Sequence, residues 1–126
     1  MKVSELGGTQ LDVWVALALG ERRSTLYEPT NEAGVYWLEM RPGSASVKEC
    51  PRYSTDPRAG FPIIESERIR LTPVDAGGFF LGELQNAPGW LARLPDQATN
   101  ERGDTALQAA MRSFVASKFG ETVSDD

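Results

Sequence analysis

The stretch RYSTDPRAGFPIIE, residues 52–65, gathers the most varied set of reactive and polar side chains in this chain. Tyr53 could stack on a ring, Ser54, Thr55 and Asp56 could hydrogen-bond a ligand, Arg58 could hold an anion, and Glu65 adds a second acid. Read this way, the stretch is a binding loop for a small molecule or nucleotide. The same residues also admit a structural reading. Asp56-Pro57 and Gly60 are turn formers, with Thr55 or Asp56 able to bond the backbone just downstream. Pro62 suits the first position of a short helix, PIIESE, that Ile63 and Ile64 would pin to the core.

Several chemistries are excluded outright. The chain contains no histidine, which removes Ser-His-Asp and Cys-His nucleophilic machinery and the commonest general base near neutral pH. With a single cysteine, Cys50, zinc sites of the usual nitrogen and sulfur kind are excluded as well, and no intramolecular disulfide can form. Cys50 has no activating histidine and reads as an ordinary, partly buried thiol. No GxxxxGK phosphate loop occurs, and GGFFLG (77–82) lies between predicted strands, so it reads as a hairpin turn. No motif for a cofactor or metal is present. A two-carboxylate hydrolase needs only placed acids, and Asp56, Glu65, Glu67 and Glu83 are its candidates. On a helix Glu65 and Glu67 diverge, which favours solvated charge.

Those side chains must be positioned by the rest of a 126-residue chain, a length that predicts one domain spanning residues 1–126. The composition, 40% hydrophobic and 25% charged, is that of an ordinary globular protein. Net charge is −5, and the basic residues are mostly scattered arginines. A nucleic-acid partner is therefore not expected, since it needs a concentrated positive footprint, which only a three-dimensional cluster such as Arg22, Arg23, Arg41 and Lys48 would supply. VWVALALG resembles the apolar region of a signal peptide, but Glu5 and Asp12 interrupt that pattern. No stretch approaches the roughly 20 apolar residues of a membrane span, so a cytoplasmic protein is expected.

The elements follow from periodicity. TQLDVWVALALGE (9–21) alternates like a strand and also matches helical spacing. A capping box of Thr9 with Asp12, the alanines at 16 and 18, and Gly20 at the far end favour a helix. It is apolar nearly all round, so it must be central or meet another subunit, with Trp14, Leu17 and Leu19 as the candidate interface. GVYWLEM (34–40) reads as a strand and residues 41–61 as mostly loop. RIRLTPV, FFLGEL and WLARL, joined by DAGG and NAPG turns, suggest an antiparallel meander. In DTALQAAMRSFVASKFG, Leu107, Ala110, Met111, Phe114 and Val115 fill the helical template, Asp104 or Thr105 can cap its start, Thr105 with Gln108 making a capping box, and Gly120 ends it. Residues 121–126 are expected to fray. The fold class is α+β: N- and C-terminal helices packed on a small antiparallel sheet, with one short central helix.

SELGGTQLDVWVALALG, YSTDPRAGFPIIESERI and TALQAAMRSFVASKFGETV resemble the NinX-like family of small bacteriophage and prophage proteins. The third stretch, Thr105 to Val123, carries most of the likeness. The first rests on Ser4-Glu5-Leu6 and Leu11-Asp12, the second on Tyr53-Ser54, Thr55-Asp56 and Pro62-Ile63-Ile64-Glu65. About half the chain is covered, and residues 21–52 and 72–104 match poorly or not at all. The chain departs from the pattern where Pro57 and Arg58 follow Asp56 in place of a tryptophan, where Phe61 replaces a glycine, and where Leu17 and Leu19 replace more polar residues. The resemblance implies a phage-encoded protein acting in a bacterial cytoplasm, and it carries no reaction, ligand or catalytic residue with it.

The residues and the resemblance together point to a non-enzymatic accessory protein that binds a host or phage protein, with a homo-oligomer as the simplest assembly. Ligand binding at Tyr53, Ser54, Thr55, Asp56, Arg58 and Glu65 is the alternative, and a carboxylate hydrolase the next.

Overall fold

The computed structural model describes residues 1–24, 36–41, 46–77, 79–80, 83–84 and 87–124. The first long element is helix α1 (Gly8–Ala18), preceded by a 3-10 turn at Val3–Glu5. Leu11, Val13, Val15 and Ala16 of α1 are buried, which is where a helix apolar nearly all round has to go. The helix ends as expected. Gly20 takes φ 93°, its N–H donates to the Leu17 carbonyl and that of Glu21 donates to the Ala16 carbonyl, a left-handed close that glycine makes without steric cost. The start differs. Gly7 is the N-cap and no side chain caps it, so the Thr9–Asp12 box does not form. Asp12 is instead drawn inward to a partner from a distant loop.

Strand β1 (Trp37–Glu39) lies where a strand was expected, and its proposed first residues, 34–35, fall outside the described residues. Its partner β2 (Val47–Glu49) is a strand within the segment expected to be loop. The two pair antiparallel with Leu38 opposite Lys48. On the other side of β1 the Ser24 N–H donates to the Trp37 carbonyl and the Glu39 N–H to that of Arg22. A three-residue strand such as VKE carries no alternation that sequence can register.

Helix α2 (Pro57–Glu67) is longer than the predicted PIIESE. Asp56 is its N-cap, with its carboxylate accepting from the Arg58 N–H at 3.0 Å and Pro57 at the first position. Both prolines suit that position, and the acid in front of Pro57 selects the earlier one. Pro62 therefore sits inside the helix, where it has no N–H to offer the Arg58 carbonyl. Arg58 and Pro62 are both exposed, so water can meet that carbonyl. Gly60 is helical rather than a turn residue. A Cβ there would stand 2.6 Å from the Tyr53 carbonyl oxygen and 2.5 Å from Leu107 Cδ2, so a hydrogen is all the packing of α2 admits.

The main sheet has the order β3 (Arg70–Val74), β6 (Gly89–Arg93), β7 (Glu101–Gly103), all antiparallel. The expected meander is thus present in modified form. β4 (Phe79–Phe80) and β5 (Glu83–Leu84) pair with each other as a separate hairpin in the β3–β6 connection, and β7 is a strand that sequence did not signal. β3 is an edge strand, which accommodates Pro73.

Helix α3 (Ala106–Phe119) packs across β6 and β7 and touches α1 and α2. Of the two caps the sequence allows, Thr105 is used: its Oγ1 accepts from the Gln108 N–H at 3.1 Å, and Gln108 Oε1 reaches back to the Asp104 N–H at 2.8 Å. Thr105→Ala should cost about 1 kcal/mol, measured by urea unfolding. Ala109, Ala110, Met111, Phe114 and Val115 are buried. The fully buried Ser113 is satisfied by Gln97, its hydroxyl donating to Oε1 at 2.6 Å. The tail expected to fray is tied down through Val123. Val3 N–H donates to the Glu121 carbonyl, Val123 N–H donates to the Met1 carbonyl, and the Val123 side chain is buried. One apolar residue and a two-sided backbone ladder are enough to dock a terminus. The fold class is α+β, as expected.

Candidate functional site

The six side chains expected to form a binding loop divide between the core and the surface. Tyr53 and Ser54 are buried, whereas Thr55, Asp56, Arg58 and Glu65 are exposed. Asp56 is occupied as the α2 cap. Glu65 lies nine residues further along the same helix, about 13 Å at the usual rise, and Glu67 lies further still. That exceeds the spacing of two-carboxylate mechanisms, so α2 does not assemble a pair from Asp56 and either glutamate. The Glu83 side chain lies outside the described residues.

The buried half of the loop is tied to α1. Asp12, 4% exposed on α1, accepts from the Ser54 N–H at 2.8 Å across 42 residues of chain. Desolvation by burial pushes the Asp12 carboxyl up from its ordinary value. Hydrogen bonding from Ser54 and the charge of Arg52 partly oppose that. The Ser54 hydroxyl is close enough to contribute to this effect, yet it makes no hydrogen bond of good geometry and is itself buried. Burial also raises Cys50 and Tyr53, each to about 12, with the Asp12 charge adding to both. Burial thus disfavours the thiolate and the phenolate alike. Leu11-Asp12 and Tyr53-Ser54, which carry part of the family resemblance, therefore meet as one hydrogen-bonded unit.

The candidate interface residues are all on α1 or at its end. Trp14 and Leu17 are half-buried on one face, one turn apart, and Leu19 is 46% exposed at the C-cap. The Trp14 ring meets Phe119 of α3 edge to face, with centroids 5.3 Å apart and planes at 74°. Phe119 is 42% exposed and was not anticipated. It continues the Met111, Val115 spacing of α3 by one more turn, so the signal was present but ran past the core. Of the basic residues that could have clustered, Lys48 pairs with Glu21 at 3.1 Å and Arg23 lies over the Tyr36 ring at 5.5 Å.

A separate cleft of about 630 Å3 opens between the N-terminal turn, β7, α3 and the docked tail. Lys2, Asn100, Glu101, Arg112, Glu121 and Thr122 are among its lining residues, and none of residues 53–65 is. Arg112 is anchored: Nε donates to the Leu6 carbonyl and Nη1 to the Arg102 carbonyl, both at 2.8 Å. The half-buried Glu101 carboxylate makes no hydrogen bond or ion pair among the described residues. Burial pushes its carboxyl up, against the pull of Arg112, and Glu121 adds to the rise. Sequence reasoning missed this site because its charges come from four segments that share no motif. Among the described residues no group of three or more histidine, cysteine, aspartate or glutamate side chains could hold a metal ion.

These features define a small α+β protein with an α1–α3 face that leaves apolar side chains exposed and a polar cleft where its two ends meet. The chain belongs to the NinX family of bacteriophage P22, whose family model matches residues 2–118. The match runs through residues 21–52 and 72–104, where motifs alone match poorly or not at all. Comparison with curated proteins gives no match. No helix among the described residues is long and apolar enough to cross a membrane.

Proposed function

We propose that this NinX-family protein is a non-enzymatic accessory protein of the phage, acting in the host cytoplasm by binding a protein through the α1–α3 face. The observation that carries this reading is the Trp14–Phe119 pair, which leaves Phe119 42% exposed although it has a packing partner. Large aromatic side chains exposed beside apolar neighbours favour interfaces. The simplest occupant is a second copy of the chain, paired isologously so that each Phe119 meets the same face of its partner.

Size-exclusion chromatography with light scattering tests this directly. The wild-type chain should run as a dimer at micromolar concentration. Phe119→Glu should run as a monomer with unchanged circular dichroism, because it adds charge to an interface without removing core packing. A wild-type monomer at every accessible concentration would overturn self-association. A host or phage protein would then have to fill the face, captured by wild type and lost with Phe119→Glu. Equal capture by both chains would overturn the assignment of the face.

A further inference from the structure

We propose that the cleft between β7, α3 and the docked tail binds a small zwitterion of the α-amino-acid class, with its ammonium on the Glu101 carboxylate and its carboxylate on Arg112. The argument begins with the guanidinium. Two of its three nitrogens are held by backbone carbonyls, Leu6 from one side and Arg102 from the other. Nη2 is left without a partner among the described residues and is not buried, on a side chain that lines the cleft. Such a group is already fixed in place, so a ligand carboxylate would lose little to ordering it.

Glu101 supplies the complementary charge. It projects from β7, whose ladder with β6 holds the backbone, and its carboxylate is not bonded within the described protein. It lies near enough to Arg112 for each to influence the other's proton affinity, yet the two form no ion pair. A half-buried cation and a half-buried anion that approach without meeting leave room for a molecule bearing both opposite charges. The remaining lining favours the same class. Glu121 adds a second anion, and Lys2 and Arg102 add two cations, of which Arg102 is engaged by the Ala87 carbonyl and by Asp104; Asn100 and Thr122 offer neutral donors and acceptors. A phosphate would meet two glutamates in this cleft, and a simple amine would meet Arg112, Arg102 and Lys2, so neither is matched. The rim is also preformed, because Lys2 and Thr122 are bridged antiparallel.

The test uses the whole 15N-labelled chain, with free glycine and larger L-α-amino acids as probes. Saturable amide shifts should appear at Asn100, Glu101 and Thr122. N-acetylglycine and glycine ethyl ester, each lacking one charge, should bind about tenfold or more weakly. Glu101→Gln should weaken binding by a similar factor without lowering the unfolding midpoint, since its carboxylate supports no contact in the fold. No saturable shift up to about 50 mM of any amino acid, a range that reaches well past millimolar affinity, would overturn the proposal. So would equal binding of the N-acetylated probe, or tighter binding of inorganic phosphate, which would mark an anion site.

Discussion

Gly103→Ala is expected to destabilise the protein by about 3 kcal/mol, the upper part of the range for overpacking a core. Gly103 is buried at the end of β7, opposite Trp90 in the β6 ladder. A Cβ there would stand 2.8 Å from Ala109 Cα and 2.9 Å from the Gln108 carbonyl carbon, and closer still to the Ala109 nitrogen. All of these are backbone atoms in the first turns of α3, so no side-chain rotation can relieve the clash. The helix must move off the sheet, and it carries Met111 and Phe114, both fully buried. Urea unfolding should show a lower midpoint with an unchanged slope. A loss below about 1 kcal/mol would mean that β7 and α3 are not packed this closely.

Asp12→Ala is expected to cost about 2 kcal/mol, because it leaves the buried Ser54 N–H without its acceptor. Asp12→Asn should lie within about 0.5 kcal/mol of wild type at neutral pH. The amide keeps an oxygen for the Ser54 N–H, and its NH2 can donate to the Ser54 hydroxyl that now lacks a well-formed bond. It also removes a desolvated charge. The pH dependence separates these effects. Because burial raises Asp12 above its ordinary 3.8, the folded chain holds that proton more tightly than the unfolded one. Its contribution to stability is full below 3.8 and is lost as pH rises through the higher folded value. Glu101 acts in the same direction. Stability of Asp12→Asn should therefore decline less steeply than wild type as pH rises out of the acid range. An unchanged slope would show that Asp12 is not a desolvated carboxylate.

The site residues illustrate why local reading and tertiary placement diverge. Tyr53, Ser54, Thr55 and Asp56 are adjacent, yet a tight turn sends the first pair inward and the second pair to the surface. The Thr55 and Asp56 N–H groups both donate to the Arg52 carbonyl there. Composition marks the stretch as special, and within the fold Asp56 caps α2 while Ser54 locks to Asp12 of α1. Asp12 looked like a helix-start residue because capping boxes are defined by spacing of three, and spacing cannot reveal a partner 42 positions away.

By itself the sequence determined the α+β class, the extent of α3 with its Thr105–Gln108 capping box and Gly120 stop, the left-handed end of α1 at Gly20, and the absence of histidine chemistry. Each of these is written in residues close together in the chain, where periodicity and capping act. Tertiary structure alone decided that Asp12 seals onto Ser54 and that β7 joins the sheet. It also docked the tail through Val123 and thereby formed the cleft holding Glu101 and Arg112. Those outcomes depend on contacts between distant segments, whose energies come from burial and from satisfying polar groups that no local pattern pairs in advance.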